Sequence, residues 1–124
     1  MKTLSLKQPS PEFILEKKKT IELRSWNTNF RGEFFIHSSK NPDKESMKKF
    51  GFEDLPCGYI VGKANLKYVK EYNSQKEFLE DVNKHLGESF YGSYVGYGFV
   101  LDNIKRVEPF PAKGKLNFWN LDLK

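Results

Sequence analysis

From the N-terminus, TLSLK (residues 3–7) sets Leu4 and Leu6 on one side and polar residues on the other, a period of two that predicts a short strand. PSPEFILEKKK then breaks that period. Ser10 stands where an N-cap would, Pro11 at the first helical position and Glu12 near the positive end of a helix dipole. A short helix over residues 11–17 is expected, turning part of Phe13, Ile14 and Leu15 inward. TIELR (residues 20–24) alternates strictly, with Ile21 and Leu23 on the core side and Thr20, Glu22 and Arg24 opposite. NTNFRG is turn-rich, and GEFFIHSSK (residues 32–40) reads as a strand whose core face is Phe34 and Ile36.

In NPDKESMKKF, Asn41 is the expected cap of a brief helix, with Pro42 at its first position and Met47 and Phe50 inward. After LPCG the chain runs extended through YIVGKANLKYVKEY, where Gly62 suggests a bulge or a bend. SQKEFLEDVNKHL carries the clearest helical signal: a Ser74–Glu77 capping box followed by an apolar stripe of Phe78, Leu79, Val82 and Leu86. A Gly/Tyr segment, YGSYVGYG, leads into a strand, FVLDNIKRVEPF, and KLNFWNLDL closes the sheet. There are no repeats, linkers or low-complexity tails. Short strands with Gly bends and about three helices point to one small, strongly curved sheet or barrel with helices outside it. The absence of regular crossover helices argues against a doubly wound fold.

Composition sharpens this picture only in part. At 124 residues the chain holds one domain, residues 1–124, with a core of useful size. An aromatic content of 15% argues against a disordered chain, which would be poor in such residues. No apolar run approaches the roughly 20 residues that span a bilayer, and no signal-peptide stretch opens the sequence, so a cytoplasmic protein without membrane contact is expected. Cys57 has no second cysteine to pair with and reads as a small apolar residue at a strand start. The two histidines lack metal-ligand spacing, and neither a metal nor a cofactor is expected. The formal charge of +5 favours phosphate-bearing partners without requiring them.

The charged residues around the second strand raise the sharper question. Lys18 and Lys19 sit at the turn entering it, where donors reach a ligand more readily than a neighbouring strand, and Glu22 and Arg24 share one face. A merely wet strand face is the bland alternative. Ser5 and Lys7 come beside this strand if the first strand does, and Ser38 and Lys40 add a hydroxyl and an ammonium at a strand end suited to phosphate oxygens. His37 beside them reads as structural when taken alone. YGSYVGYG lacks the pattern of a nucleotide phosphate loop; its tyrosines either stack on unpaired bases or pack on the core. Lys113, Gly114 and Lys115 matter only if they flank the same cleft.

Taken together, LSLKQP (residues 4–9), KKTIELRSW (18–26), RGEFFIHSSK (31–40), CGYIVGKANL (57–66) and FPAKGKLNFWNLD (110–122) resemble the ASCH domain, a member of the PUA-like superfamily. The resemblance covers essentially the whole chain. It implies an α+β, mostly β fold: a PUA-like barrel or pseudo-barrel of about five to six strands with two or three peripheral helices, and a cleft beside the K-T-x-E-x-R strand that binds RNA or another nucleic acid. Carried over by position, Lys19, Glu22 and Arg24 line that cleft, with Lys7 and Gln8 near its rim and Trp26 and Trp119 supporting the barrel. Ser10 stands where close relatives often have Trp. The nucleic-acid-binding set expected from pattern and resemblance is therefore Lys7, Gln8, Lys18, Lys19, Glu22, Arg24, Ser38 and Lys40. The alternative implied by compact relatives is a small amidohydrolase acting on an N4-acylated cytidine-type nucleoside. In that case Lys19 would be the base, Glu22 would occupy the threonine position, and Glu88 would be the candidate later glutamate. A protein-interaction scaffold is a third possibility, and the oligomeric state is left open.

Overall fold

The computed structural model describes residues 1–87 and 96–122. Six strands and four short helices follow one another as β1 (Lys2–Leu6), α1 (Ser10–Leu15), β2 (Ile21–Arg24), β3 (Gly32–Ser38), α2 (Lys44–Lys49), β4 (Tyr59–Tyr72), α3 (Gln75–Glu80), α4 (Val82–His85), β5 (Gly96–Pro111) and β6 (Phe118–Asn120). The strands form one mixed sheet in the order β2-β5-β4-β3-β1-β6. Only β1 and β3 run parallel; the other neighbours are antiparallel. The α+β, mostly β class is thus as the sequence implies. The sheet does not close into a barrel, since β2 and β6 stand at opposite edges.

Curvature comes from the two longest strands. Pairing of β4 with β5 slips in register at three places, and β3 against β4 slips where His37 meets Ile60 and Ile36 meets Gly62. The expected irregularity at Gly62 is therefore present, with Val61 as the extra residue. A side chain on Gly62 would collide with Leu15 of α1 and stand 2.8 Å from the Lys105 carbonyl, so the missing Cβ is what lets α1 cross the bend. Leu4, Leu6, Ile14, Leu15, Phe34, Ile36, Leu66 and Phe99 meet in the core beneath it. Trp26 packs edge-on to Phe99 at 5.3 Å and Phe118 stacks on Phe99 at 6.0 Å, which ties the closing strand to the core. The first and last strands also meet. Strands β1 and β6 pair antiparallel, and the Leu121 amide donates to the Met1 carbonyl at 3.0 Å.

Four local expectations are corrected, the simplest being Phe50, expected inward with Met47 but exposed while Met47 is buried. Ser10 does not cap α1; the cap is Pro9, and the serine hydroxyl is engaged elsewhere. Helix α2 is capped by Asp43 instead of Asn41, its carboxylate accepting from the Ser46 amide at 3.2 Å. The third predicted helix is interrupted at Asp81, which ends α3 and begins α4. That break rotates the phase of the apolar stripe. Phe78, Asp81 and His85 are buried, whereas Leu79 and Val82 are exposed. The cause is polar: Asp81 Oδ2 accepts from the Tyr72 hydroxyl and from Lys70, each at 2.7 Å, so the carboxylate is drawn under the helix and the leucine is turned out. Ser74 and Glu77 do form the expected capping pair, the Glu77 amide donating to the Ser74 hydroxyl at 3.1 Å.

Among the described residues, no helix is long and apolar enough to cross a membrane.

Candidate functional site

The K-K-K segment owes its placement to the end of α1. Glu16 closes the helix, Lys17 takes a left-handed backbone conformation (φ 63°), and the amides of Lys18 and Lys19 both donate to the Phe13 carbonyl, at 2.9 and 3.1 Å. This reversal sends Lys18 to solvent, where it pairs with Glu16 at 3.5 Å, and turns Lys19 inward. Lys19 Nζ then donates to the Ser10 hydroxyl at 3.0 Å and lies 2.9 Å from Glu22 Oε1. Glu22 Oε2 sits 3.2 Å from Arg24 Nη2, which also donates to the Ser5 carbonyl at 2.9 Å. One buried carboxylate, with 8% of its side chain exposed, thus bridges an ammonium and a guanidinium. Within that cluster Glu22 Oε1 has ion-pair contact without hydrogen-bond geometry, and Arg24 Nε has no hydrogen-bond acceptor.

These side chains line a cavity of about 920 Å³. Lys7 and Lys40 reach it from the ends of β1 and β3, Phe13 and Phe50 form one apolar wall, and Trp26 stands beside Arg24. The wall is a real aromatic contact, since Phe13 and Phe50 meet edge-on at 4.9 Å. The segment between β5 and β6, residues 112–117, lines the same space and brings Lys113 and Lys115 with it.

Five of the expected residues therefore converge: Lys7, Lys19, Glu22, Arg24 and Lys40. Gln8, Lys18 and Ser38 are not among the lining residues. Gln8 is buried and both ends of its amide are engaged, donating to the Pro56 carbonyl at 3.0 Å and accepting from the Glu12 amide at 3.2 Å. Ser38 is spent on Tyr59, to whose carbonyl it donates at 3.1 Å. Glu88 lies outside the described residues, as do residues 91–95 of the Gly/Tyr segment; Tyr97, just beyond them, packs against the core. Ser10 and Trp26 line the cavity although the sequence suggested a cap and a structural support. The K-G-K run was visible as charge, but only the fold shows which side of the molecule it faces. Among the described residues, no cluster of three or more His, Cys, Asp or Glu side chains forms that could hold a metal ion.

His37 also borders the cavity, buried and tied at both nitrogens. Its Nε2 lies 2.7 Å from the Ala112 carbonyl and must donate there, which leaves Nδ1 to accept from the Ser5 hydroxyl at 2.9 Å. Ser5 in turn accepts from Trp119 Nε1 at 3.1 Å. Burial lowers the His37 pKa, partly offset by the Ala112 bond. Burial likewise lowers that of His85, with Lys19 and Lys70 adding to the effect and Phe78 and Asp81 opposing it. Both rings are thus held neutral in the folded protein more strongly than in the unfolded chain. Their stabilising contribution is present above the unfolded histidine pKa of about 6.5 and is lost as pH falls below it. Asp81 adds a second loss at lower pH: burial would raise its pKa, but the bonds from Lys70 and Tyr72 outweigh that and lower it. The expected outcome is a smaller urea midpoint at pH 5.5 than at pH 7.5, with a steeper decline below pH 4; a midpoint that is flat or rises toward acid would contradict these environments.

A model of the ASCH domain family matches residues 4–110. Activating signal cointegrator 1 of Mus musculus is 28% identical over 139 residues, covering 98% of this chain and 22% of its own length. Its Homo sapiens counterpart is 26% identical over 136 residues with the same coverage. The chain therefore spans about a fifth of the length of the curated relatives it matches. The crystal structure of ASCH from Zymomonas mobilis superposes with a TM-score of 0.68 over 89% of this chain and 72% of that one, at 15% identity. That likeness is one of fold.

Proposed function

Starting from the premise that this chain belongs to the ASCH domain family, we propose that it is a nucleic-acid-binding module whose cavity grips a single strand of RNA. The observation that carries this reading is the Lys19–Glu22–Arg24 bridge in the cavity, flanked by Lys7, Lys40, Lys113 and Lys115. Glu22 does not compete for the ligand in this reading; it is sealed between the two cations and positions them. Arg24 spends Nη2 on Ser5 and Glu22, which leaves other guanidinium donors for a phosphate or a base edge. Phe50, the exposed ring of the aromatic wall, supplies a surface on which a base stacks, such a stack contributing about 1–3 kcal/mol. A cavity near 920 Å³ falls in the range of roughly 300–1,000 Å³ that encloses most of a small ligand, which suits a nucleotide unit better than a duplex groove.

Binding of a fluorescein-labelled single-stranded RNA, followed by anisotropy across a salt series, tests the reading. Each phosphate neutralised contributes about −0.7 to the slope of log K against log salt, so four contacts give a slope of about −2.8. Affinity that does not change with salt would be incompatible with the proposal.

The amidohydrolase reading retains one specific support. The Ser10 hydroxyl sits 3.0 Å from Lys19 Nζ and supplies a nucleophile-type group beside the lysine that the sequence, with Glu22 at the threonine position, did not offer. It ranks second because the Lys19 ammonium is already engaged by Glu22. Release of acetate from N4-acetylcytidine, abolished by Ser10→Ala, would reverse the ranking.

A further inference from the structure

Leu116 is 89% exposed, far more than any other large hydrophobic side chain among the described residues. A single exposed leucine is unremarkable on a protein surface. Its setting is not, because it stands at the cavity lined by Trp26, Phe13 and Phe50, between Lys115 and Asn117. The segment that carries it is also fixed in place. The Ala112 amide donates to the Gly58 carbonyl at 3.0 Å, and the Ala112 carbonyl accepts from His37. Gly114 lies so close to the Ser5–His37 pair that a Cβ there would be 2.9 Å from the Ser5 hydroxyl and 2.7 Å from His37 Cε1. Past Leu116 the chain re-enters the sheet at once as β6, with Trp119 bonded to Ser5. An apolar side chain is thereby held out in water by a pinned, doubly lysine-bearing strap.

We propose that Leu116 is a wedge that inserts between stacked bases of a folded nucleic acid and displaces one base into the adjacent cavity. The proposal rests on the nucleic-acid reading above and deepens it, naming as ligand a stacked or hairpin nucleic acid in which one base leaves its stack. Apolar side chains such as leucine perform this insertion in other nucleic-acid-binding proteins, where unstacking a step costs a few kcal/mol that added contacts must offset. Here the offsetting contacts are the stacking wall, the Lys19–Arg24 floor, and phosphate contacts from Lys113 and Lys115. Charge selects this occupant over a protein surface: the wedge has a lysine as its immediate neighbour and a second one two residues further back.

The test uses an RNA hairpin and its DNA counterpart, each with one 2-aminopurine in the stem and a distant fluorescein. Fluorescein anisotropy reports binding, and 2-aminopurine emission reports unstacking. With the native protein both signals rise, the emission by several-fold. Leu116→Ala, an exposed position whose change leaves the core untouched, abolishes the emission rise while affinity falls by less than about tenfold; Leu116→Met restores part of it. The hairpin that shows the effect identifies the nucleic acid. Anisotropy without an emission change, or an undiminished rise in Leu116→Ala, overturns the wedge and leaves the binding module intact. No anisotropy change with either hairpin or with single-stranded RNA overturns both.

Discussion

Replacing Lys19 and Arg24 together by alanine is expected to lower affinity for single-stranded RNA by about 100-fold or more and to flatten the salt dependence. On the proposed reading, in which both cations contact phosphates, their removal corresponds to a change of about 1.4 in the slope of log K against log salt. The same double substitution strands Glu22 as a buried carboxylate without partners, a situation that costs roughly 3–5 kcal/mol. Loss of binding through unfolding is separated from loss of contacts by adding Glu22→Gln, which removes the stranded charge at nearly constant shape. The triple variant is expected to recover most of the stability and none of the affinity. If the triple variant binds RNA as the native chain does, the buried bridge has no part in recognition.

The second large effect concerns stability alone. Asp81→Ala deletes the acceptor shared by Tyr72 and Lys70 and leaves a fully buried phenol hydroxyl without a partner. Removing one member of such a cluster costs about 3–5 kcal/mol. For a domain of this size that is a fall in melting temperature of roughly 10–20 °C. Asp81→Asn retains an acceptor for Tyr72 and is expected to lose less than half as much. A thermal midpoint for Asp81→Ala within a few degrees of the native value would show that the carboxylate is there by accident of the helix break.

The sheet was largely legible because its strands alternate cleanly. Phe34 and Ile36 on β3 follow from side-chain period, β4 from its long extended run, and Gly62 marked the bend because a strand interior gives a glycine little other use. Helix phase was harder to read. Asp81 and His85 occupy the inward positions that Leu79 and Val82 were expected to fill, and the apolar period does not indicate that Tyr72, at the end of the preceding strand, will draw a carboxylate inward. The site was half legible for the same reason. Glu22 and Arg24 announce themselves as charges on a strand where apolar residues would do, and Lys19 as a charge at the turn that enters it. Gln8 and Ser38 look equally available in sequence, yet Gln8 bonds to Pro56 across the fold and to nearby Glu12, and Ser38 to Tyr59 on the neighbouring strand. Ser10 was misread in the opposite sense: a residue suited to a helix cap serves as the acceptor for Lys19.

The pairing of the first strand with the last has an architectural result. Because Met1 and Leu121 are hydrogen-bonded neighbours, a longer polypeptide can leave its own course, run through this domain and resume within a few ångströms of where it departed. Such a cassette can be spliced into a surface loop of a host without prising the host apart. The same proximity suits circular permutation, with new ends opened in an exposed turn and Met1 linked to Leu121 by a short bridge.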